Sequence, residues 1–276
     1  MNNKNRFALI GYPLGHSLSP AIHAELFKIA DKNASYELIE IAPESLEKSA
    51  DVLKTLGGFN VTIPHKTNII PLLDELSERA ALFGAVNTVD NKNGKLIGYN
   101  TDCIGFLRAL SGAGVELKGR VLICGCGGVS RMFAFESALA GCDITFGVRE
   151  KSIYKCRLLC DELKSKTDKD SKIVIIDEIN EGYDLIINGT PVGMFPNVDA
   201  SPLRREVVEK SGAVFDSIYN PGETVLLRYA REAGIKHRNG LPMLVWQAAA
   251  AEEIWNGVNF GADEINGVIN KLRIKS

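Results

Sequence analysis

Short runs of apolar, β-branched residues alternate with longer stretches whose apolar positions recur every three or four residues, and the alternation continues along nearly the whole chain. A repeated strand, helix, strand order of this kind predicts an α/β fold built on parallel strands. In the first third, strands are expected at residues 7–11, 36–41, 59–62, 85–90 and 96–99. The last two read as a hairpin, because Asn91, Lys92, Asn93 and Gly94 supply a turn whose asparagines and glycine tolerate positive φ. A helix is expected over residues 20–30, with Ser19 as its N-cap and Pro20 in the first helical position.

After Asp102, Ile104, Leu107 and Leu110 recur at helical spacing, and the helix runs out in Ser111, Gly112, Ala113 and Gly114. The domain boundary is expected there, with residues 1–103 as the first domain and 104–240 as the second. From Arg120 the pattern restarts with the apolar run 121–124, as expected of a strand buried on both faces. Further strands are expected at 144–148, 173–177, 185–188 and 214–218. The charged segment 164–172 reads as a solvated loop. The last stretches, 241–255 and 263–273, read as helices that pack back onto the first domain.

A chain of 276 residues, 45% hydrophobic and 24% charged, has room for two domains of about 100 to 150 residues each. Its net charge of −2 offers no electrostatic excess for a polyanion, so no nucleic-acid partner is expected. The apolar run 7–10 is too short for the core of a signal peptide, and no stretch is long enough to span a membrane. A cytoplasmic protein follows. Cys103, Cys124, Cys126, Cys142, Cys156 and Cys160 form no pair at zinc or dithiol spacing and read as buried free thiols. His16, His23, His65 and His237 form no cluster, so no metal is expected.

Candidate chemistry concentrates in three polar tips and one glycine loop. Lys66 follows an extended run that Pro64 stops, while Asn87 and Asp102 each stand at the edge of a short apolar run. A lysine beside a carboxylate can pass a proton to or from a substrate oxygen, which suits reversible reduction of a ketone. The strand at 121–124 runs into Gly125, Cys126, Gly127, Gly128, Val129 and Ser130, and a helix rich in alanine follows. That order matches a pyrophosphate cradle, with glycines for the turn and close approach and a helix N-terminus facing the phosphates. Ser130 stands where a third glycine is usual. At the end of the next strand comes Arg149, suited to a ribose 2′-phosphate, with Glu150 beside it as an acceptor for an unphosphorylated ribose. NADP is therefore placed ahead of NAD.

Six ordered motifs spread over nearly the whole length resemble the shikimate dehydrogenases. They are His16-Ser17-Leu18-Ser19-Pro20, the stretch from Asn60 to Lys66, Gly84-Ala85-Val86-Asn87-Thr88, Asn100-Thr101-Asp102, the glycine loop, and Met243-Leu244-Val245-Trp246-Gln247-Ala248-Ala249. The resemblance implies an N-terminal substrate domain, a Rossmann-type dinucleotide domain, and NADPH-dependent reduction of 3-dehydroshikimate to shikimate. It implies Lys66 and Asp102 as the catalytic pair. Ser17 and Ser19 match carboxylate-binding hydroxyls, Tyr219 a further substrate contact, and Thr62, Asn87 and Gln247 positions that meet substrate hydroxyls. Thr190 and Met194 match the loop that lies along the cofactor, and Gly240 precedes the final helices as in the family. The family's usual Asn-Arg-Thr at the adenosine end stands here as Val148-Arg149-Glu150.

Two other readings are compatible with the residues. One is a polyol dehydrogenase acting on quinate as well as shikimate, with NAD. The other is a dinucleotide-binding regulator without catalysis, against which the retention of both Lys66 and Asp102 argues. The expected state is a monomer or homodimer.

Overall fold

The computed structural model describes residues 3–15 and 17–273 of the chain. His16, the first residue of the serine-containing motif, lies outside them. The residues up to Gly105, together with those from Leu244 onward, form one compact unit, and Phe106–Met243 form a second.

The first unit contains β1 (Asn3–Gly11), α1 (Ser19–Ile29), β2 (Ser35–Glu40), α2 (Ala50–Leu53), β3 (Leu56–Val61), α3 (His65–Asn68), β4 (Glu75–Leu76), α4 (Glu78–Phe83), β5 (Thr88–Lys92) and β6 (Lys95–Tyr99). Its six-stranded sheet has the order β2-β1-β3-β5-β6-β4. β1 lies parallel to β2 and β3, whereas β5 runs antiparallel to both β3 and β6. The sheet is mixed because of the hairpin. Asn93 and Gly94 take φ of 58° and 94°, and Asn91 Oδ1 accepts the Gly94 N–H at 2.7 Å. Two consecutive positive φ values match the right-handed twist of the flanking strands. Ala8, Ile10, Phe59, Val61, Val89 and Leu96 bury the apolar face of this sheet against Ile41, Leu53 and Ile69.

Strand direction has a functional consequence. The C-terminal ends of β1, β3 and β6 and the N-terminal end of β5 all lie at one end of the sheet. The loops bearing Ser17, Lys66, Asn87 and Asp102 leave from there.

α5 (Asp102–Ser111) leads out of this unit. The second unit then runs through β7 (Arg120–Cys124), α6 (Gly128–Leu139), β8 (Asp143–Val148), α7 (Ile153–Thr167), β9 (Ser171–Ile175), β10 (Leu185–Asn188), α8 (Arg205–Glu209), β11 (Ala213–Asp216), α9 (Val225–Glu232) and β12 (Lys236–Arg238). Its strands are all parallel, in the order β12-β11-β10-β7-β8-β9. This is the doubly wound order, and its switch point lies between β7 and β10.

The C-terminal helices α10 (Leu241–Asn256) and α11 (Ala262–Arg273) return to the first unit. Trp255 stacks on Phe7 at 4.7 Å between centroids, and its indole N–H donates to Val89 O at 3.0 Å. Beside it, His23 Nδ1 meets Glu252 Oε1 at 2.5 Å with both side chains fully buried, and the ring of Tyr36 stacks on His23 at 3.9 Å. Gly58 is required beneath this cluster, because a Cβ there would lie 2.3 Å from Trp255 Nε1.

Several elements differ from the expectation. Ser19 is not the N-cap of α1: Leu18 is, and Ser17 Oγ accepts the Ser19 N–H at 3.2 Å. The segment 164–172 is mostly regular, since α7 continues to Thr167 and β9 begins at Ser171. Its charges misled because they pair outward, Lys164 with Asp168 and Asp170 at 3.0 and 3.1 Å and Lys166 with Glu162 at 2.9 Å. The strand placed at 173–177 is β9, shifted toward the N-terminus, and residues 176–178 turn as a short 3₁₀ helix. Residues 85–87 precede β5 rather than belonging to it, with Val86 N donating to Lys66 O at 2.7 Å. β12 was not expected, because Lys236-His237-Arg238 carries no apolar alternation. Among the cysteines, Cys160 is half-exposed and the other five are buried.

Asp216 ties the loops at the ends of β10 and β11 together. The carboxylate is fully buried, and it accepts from Asn188 Nδ2 at 3.0 Å, from Ile218 N at 3.0 Å and from the Thr224 hydroxyl at 2.7 Å. Desolvation outweighs these donors and pushes its pKa up to about 6. The folded chain thus holds this proton more tightly than the unfolded chain, so the associated stability is present below pH 4 and is lost as pH rises through about 6. Relative to the wild type, Asp216→Asn should gain about 2 to 3 kcal/mol between pH 4 and pH 7 in denaturant titrations. Identical pH slopes for the two chains would show that Asp216 does not titrate in this window.

Candidate active site

The reactive end of the first sheet is assembled by backbone hydrogen bonds before any side chain is considered. Val61 N donates to Asn87 O at 2.8 Å, Thr62 N to Ile10 O at 2.9 Å, and Asn87 N to Tyr99 O at 3.0 Å. Lys66 lies in the single turn of α3. That turn is pinned by His65, whose buried ring nitrogen Nε2 meets Ile41 O at 2.6 Å. Asp102 opens α5, where a carboxylate in the first turn suits the positive end of the helix.

Lys66 Nζ and Asp102 Oδ2 are 2.5 Å apart, both partly exposed at 32% and 20%. The other carboxylate oxygen, Asp102 Oδ1, accepts Asn87 Nδ2 at 2.9 Å. Asn87 Nδ2 also faces Gln247 Oε1 at 3.4 Å, and Gln247 Nε2 donates within its own helix to Leu244 O at 2.9 Å. Thus Lys66, Asn87, Asp102 and Gln247 meet in one contiguous group. Such a group can donate a proton from the ammonium, hold that ammonium in place, and offer amide donors and acceptors to hydroxyls.

Ser17, Ser19 and Thr62 belong to the same unit. Ser19 is buried in the first turn of α1, and its hydroxyl lies in hydrogen-bonding reach of Tyr36, whose phenol donates to Asn60 Oδ1 at 2.7 Å. The Thr62 methyl packs where a Cβ on Gly11 would approach it to 2.4 Å, so the β1 loop passes close by. Burial, then the charge of Glu252, push the Tyr36 phenol well above its ordinary pKa. It therefore remains a donor throughout the working pH range. Asn60, Thr88 and Thr101 stand within the sequence motifs, which by themselves give these three no role. Their signal was a polar residue inside an apolar run, and all three are buried here in mutual hydrogen bonds.

The remaining candidates lie in the second unit. Gly125 has φ of 91°, and a Cβ there would meet the Thr190 methyl at 2.7 Å. Gly127 caps α6 without any side-chain hydrogen bond, and Cβ atoms on Gly127 or Gly128 would meet nothing within 4 Å. The first N–H groups of this twelve-residue helix, with Gly128 exposed and Val129 half-buried beside them, are therefore not covered by side chains at 127 and 128, as an anion at a helix N-terminus requires. Ser130 points inward, fully buried, and donates to Gly189 O at 3.3 Å. A serine in the third glycine position is thereby accommodated by packing on Gly189.

Arg149 stands exposed at the end of β8, its guanidinium without a partner among the described residues. Thr190 bonds within its loop, its hydroxyl donating to Asn188 Oδ1 at 2.7 Å, while Met194 and Tyr219 are 45% and 40% exposed. Gly240 closes onto Ser217, where a Cβ would lie 2.1 Å from the carbonyl oxygen. Tyr219 is thus carried by the second unit, unlike the other substrate-side candidates.

Comparison with known proteins converges on one family. A model of the shikimate dehydrogenase substrate binding domain matches residues 9–89. The chain is 44% identical to a shikimate dehydrogenase (NADP(+)) of Caldanaerobacter subterraneus subsp. tengcongensis, covering 93% of each chain. It is 41% identical to the enzyme of that name from Methanocaldococcus jannaschii, covering 96% of each. The crystal structure of shikimate 5-dehydrogenase from Thermus thermophilus in complex with NADP(H) and shikimate superimposes with a TM-score of 0.86 at 35% identity, covering 96% of this chain and 98% of that one. With both units matched in fold and over nine-tenths of the length matched in sequence, this chain belongs to the shikimate dehydrogenase family.

Proposed function

We propose that this chain catalyses the reversible NADPH-dependent reduction of 3-dehydroshikimate to shikimate, with Lys66 as proton donor and Asp102 as its partner. The observation that carries the reading is the 2.5 Å pair between Lys66 Nζ and Asp102 Oδ2, with Asn87 Nδ2 on the other carboxylate oxygen. The nicotinamide of NADP, when bound, supplies or accepts the hydride. Each remaining step belongs to side chains of this protein.

In the reducing direction the Lys66 ammonium donates its proton to the substrate oxygen as negative charge builds there, and Asp102 keeps the lysine aimed. In the oxidising direction neutral Lys66 takes the proton from the hydroxyl. Asn87 and Gln247 present amide groups that donate and accept, as vicinal ring hydroxyls require. Ser17 and Ser19 supply hydroxyl donors for a carboxylate, Thr62 supplies a hydroxyl for the ring, and Tyr219 is a further contact. The backbone N–H groups of Gly128, Val129 and Ser130, with Gly125 and Gly127 clearing their approach, hold the pyrophosphate, and Thr190, Met194 and Gly240 shape the remaining wall. The exposed, unpaired Arg149 is the partner for the 2′-phosphate, which supports NADP over NAD.

Initial rates with shikimate and quinate, each against NADP and NAD, test the substrate and cofactor together. Shikimate with NADP is expected to be fastest, and a faster reaction with quinate or with NAD would replace this assignment. Lys66→Met should lower kcat about a hundred- to thousandfold while NADPH affinity stays within about twofold. Equal losses of rate and cofactor affinity would mean that Lys66 is structural. Arg149→Ala should raise the Kd for NADPH about ten- to a hundredfold and leave that for NADH nearly unchanged. Parallel weakening of both cofactors would remove Arg149 from the phosphate site.

A further inference from the structure

Behind the catalytic pair lies a row of polar side chains, half-buried at Tyr36 and buried at Asn60, Thr88 and Thr101, with no part in the chemistry as described. Tyr36 OH donates to Asn60 Oδ1 at 2.7 Å, and Asn60 Nδ2 donates to Thr88 Oγ1 at 2.9 Å. Thr88 and Thr101, both fully buried, face each other with hydroxyl oxygens 2.9 Å apart. Each also lies 3.2 Å from Asn87 Oδ1. The Thr101 backbone N–H reaches the same oxygen at 2.6 Å. Asn87 Nδ2 bonds Asp102 Oδ1 at 2.9 Å and also donates to Thr101 Oγ1 at 3.0 Å.

Donor counting gives this row a direction. A phenol has one proton, which Tyr36 spends on Asn60 Oδ1, so the Asn60 amide must turn its NH₂ toward Thr88. Thr88 already accepts from Asn60, and its own proton is directed onward to Thr101 or Asn87. Through either hydroxyl, one proton arrives on Asn87 Oδ1. The amide is then fixed with its oxygen inward and its NH₂ toward the carboxylate. The flipped amide would set an oxygen against Asp102 and an NH₂ against the Thr101 N–H, leaving two like pairs of buried groups opposed.

We propose that Tyr36 and Thr88 are positioning residues for the reaction, acting through Asn60 and Thr101 to hold the Asn87 amide in the one orientation that donates to Asp102. The proposal rests on the role of Lys66 and Asp102 given above. Neither Tyr36 nor Thr88 touches those two residues. Removing the Tyr36 hydroxyl takes the donor from Asn60 Oδ1, and the 3.2 Å bond from Asn60 Nδ2 to Asn87 O is then left alone to oppose a turn of the amide oxygen toward Thr88. In the turned amide the Thr88 proton points back toward Asn60, and Asn87 loses it.

Tyr36→Phe, Thr88→Val and Thr88→Ser test this in the full-length enzyme. Tyr36→Phe keeps the ring stacked on His23, so it remains informative if the threonine variant fails to fold. In the first two variants kcat for shikimate oxidation is expected to fall about five- to twentyfold. The acidic limb of the pH–rate profile should move as well, because the Asn87 amide no longer holds the pair that passes the proton. NADPH affinity should stay within about twofold of wild type, and Thr88→Ser should recover most of the rate. A merely structural role would lower the melting temperature without moving the pH limb. Wild-type kcat and pH limb in folded Tyr36→Phe or Thr88→Val, or equal impairment of Thr88→Ser and Thr88→Val, would overturn the proposal. An active Lys66→Met would instead remove the assignment beneath it, so the two failures are distinguishable.

Discussion

The carboxylate of Asp102, gripped by the Lys66 ammonium on one oxygen and the Asn87 amide on the other, is the constraint around which the first unit is organised. A lysine on a four-carbon stem has many rotamers and would not be aimed by burial alone. A charge-assisted bond of 2.5 Å to a carboxylate on a helix end restricts it. The carboxylate in turn needs a second donor whose direction does not wander. Asn87 meets that need because its own oxygen is held by Thr101 and by the hydroxyls behind it.

Strand direction makes the arrangement possible. With every strand of this sheet parallel, the segment after β3 and the segment before β5 would lie at opposite ends. The reversal of β5 brings Lys66, Asn87 and Asp102 to a common edge, and the hairpin turn at Asn93 and Gly94 permits the reversal. Gln247 arrives from a helix 160 residues further along and is carried into place by the docking of Trp255 and Glu252. Stability and site geometry therefore share one set of contacts in this unit.

The second unit solves a different problem, which is to leave backbone donors unused. Glycines at 127 and 128 keep side chains away from the start of α6, and Ser130 turns inward to Gly189. At the switch point the loops after β10 and β11 are drawn together by Asp216 and Asn188, the first a buried acceptor and the second both donor and acceptor. Burying an acid without a cationic partner raises its proton affinity, and three donors only partly offset that cost.

Local chemistry determined much of this protein from sequence alone. The hairpin was legible in Asn93 and Gly94, the cradle in the glycines after an apolar strand, and Lys66 in the proline-stopped run, since each depends on residues adjacent in the chain. Asn87 and Asp102 stood out as polar residues at the edges of short apolar runs, and the family motifs added Gln247. Tertiary structure decided what neighbouring residues do not encode. It moved the capping position of α1 from Ser19 to Leu18, extended α7 through charges that pair on its outer face, and formed β12 from three polar residues by pairing them with β11. It also joined Tyr36, Asn60, Thr88 and Thr101, which come from four segments, into a single directed row. Hydrogen-bond direction is a property of partners, and partners distant in sequence are chosen only when strand register brings their side chains to the same face.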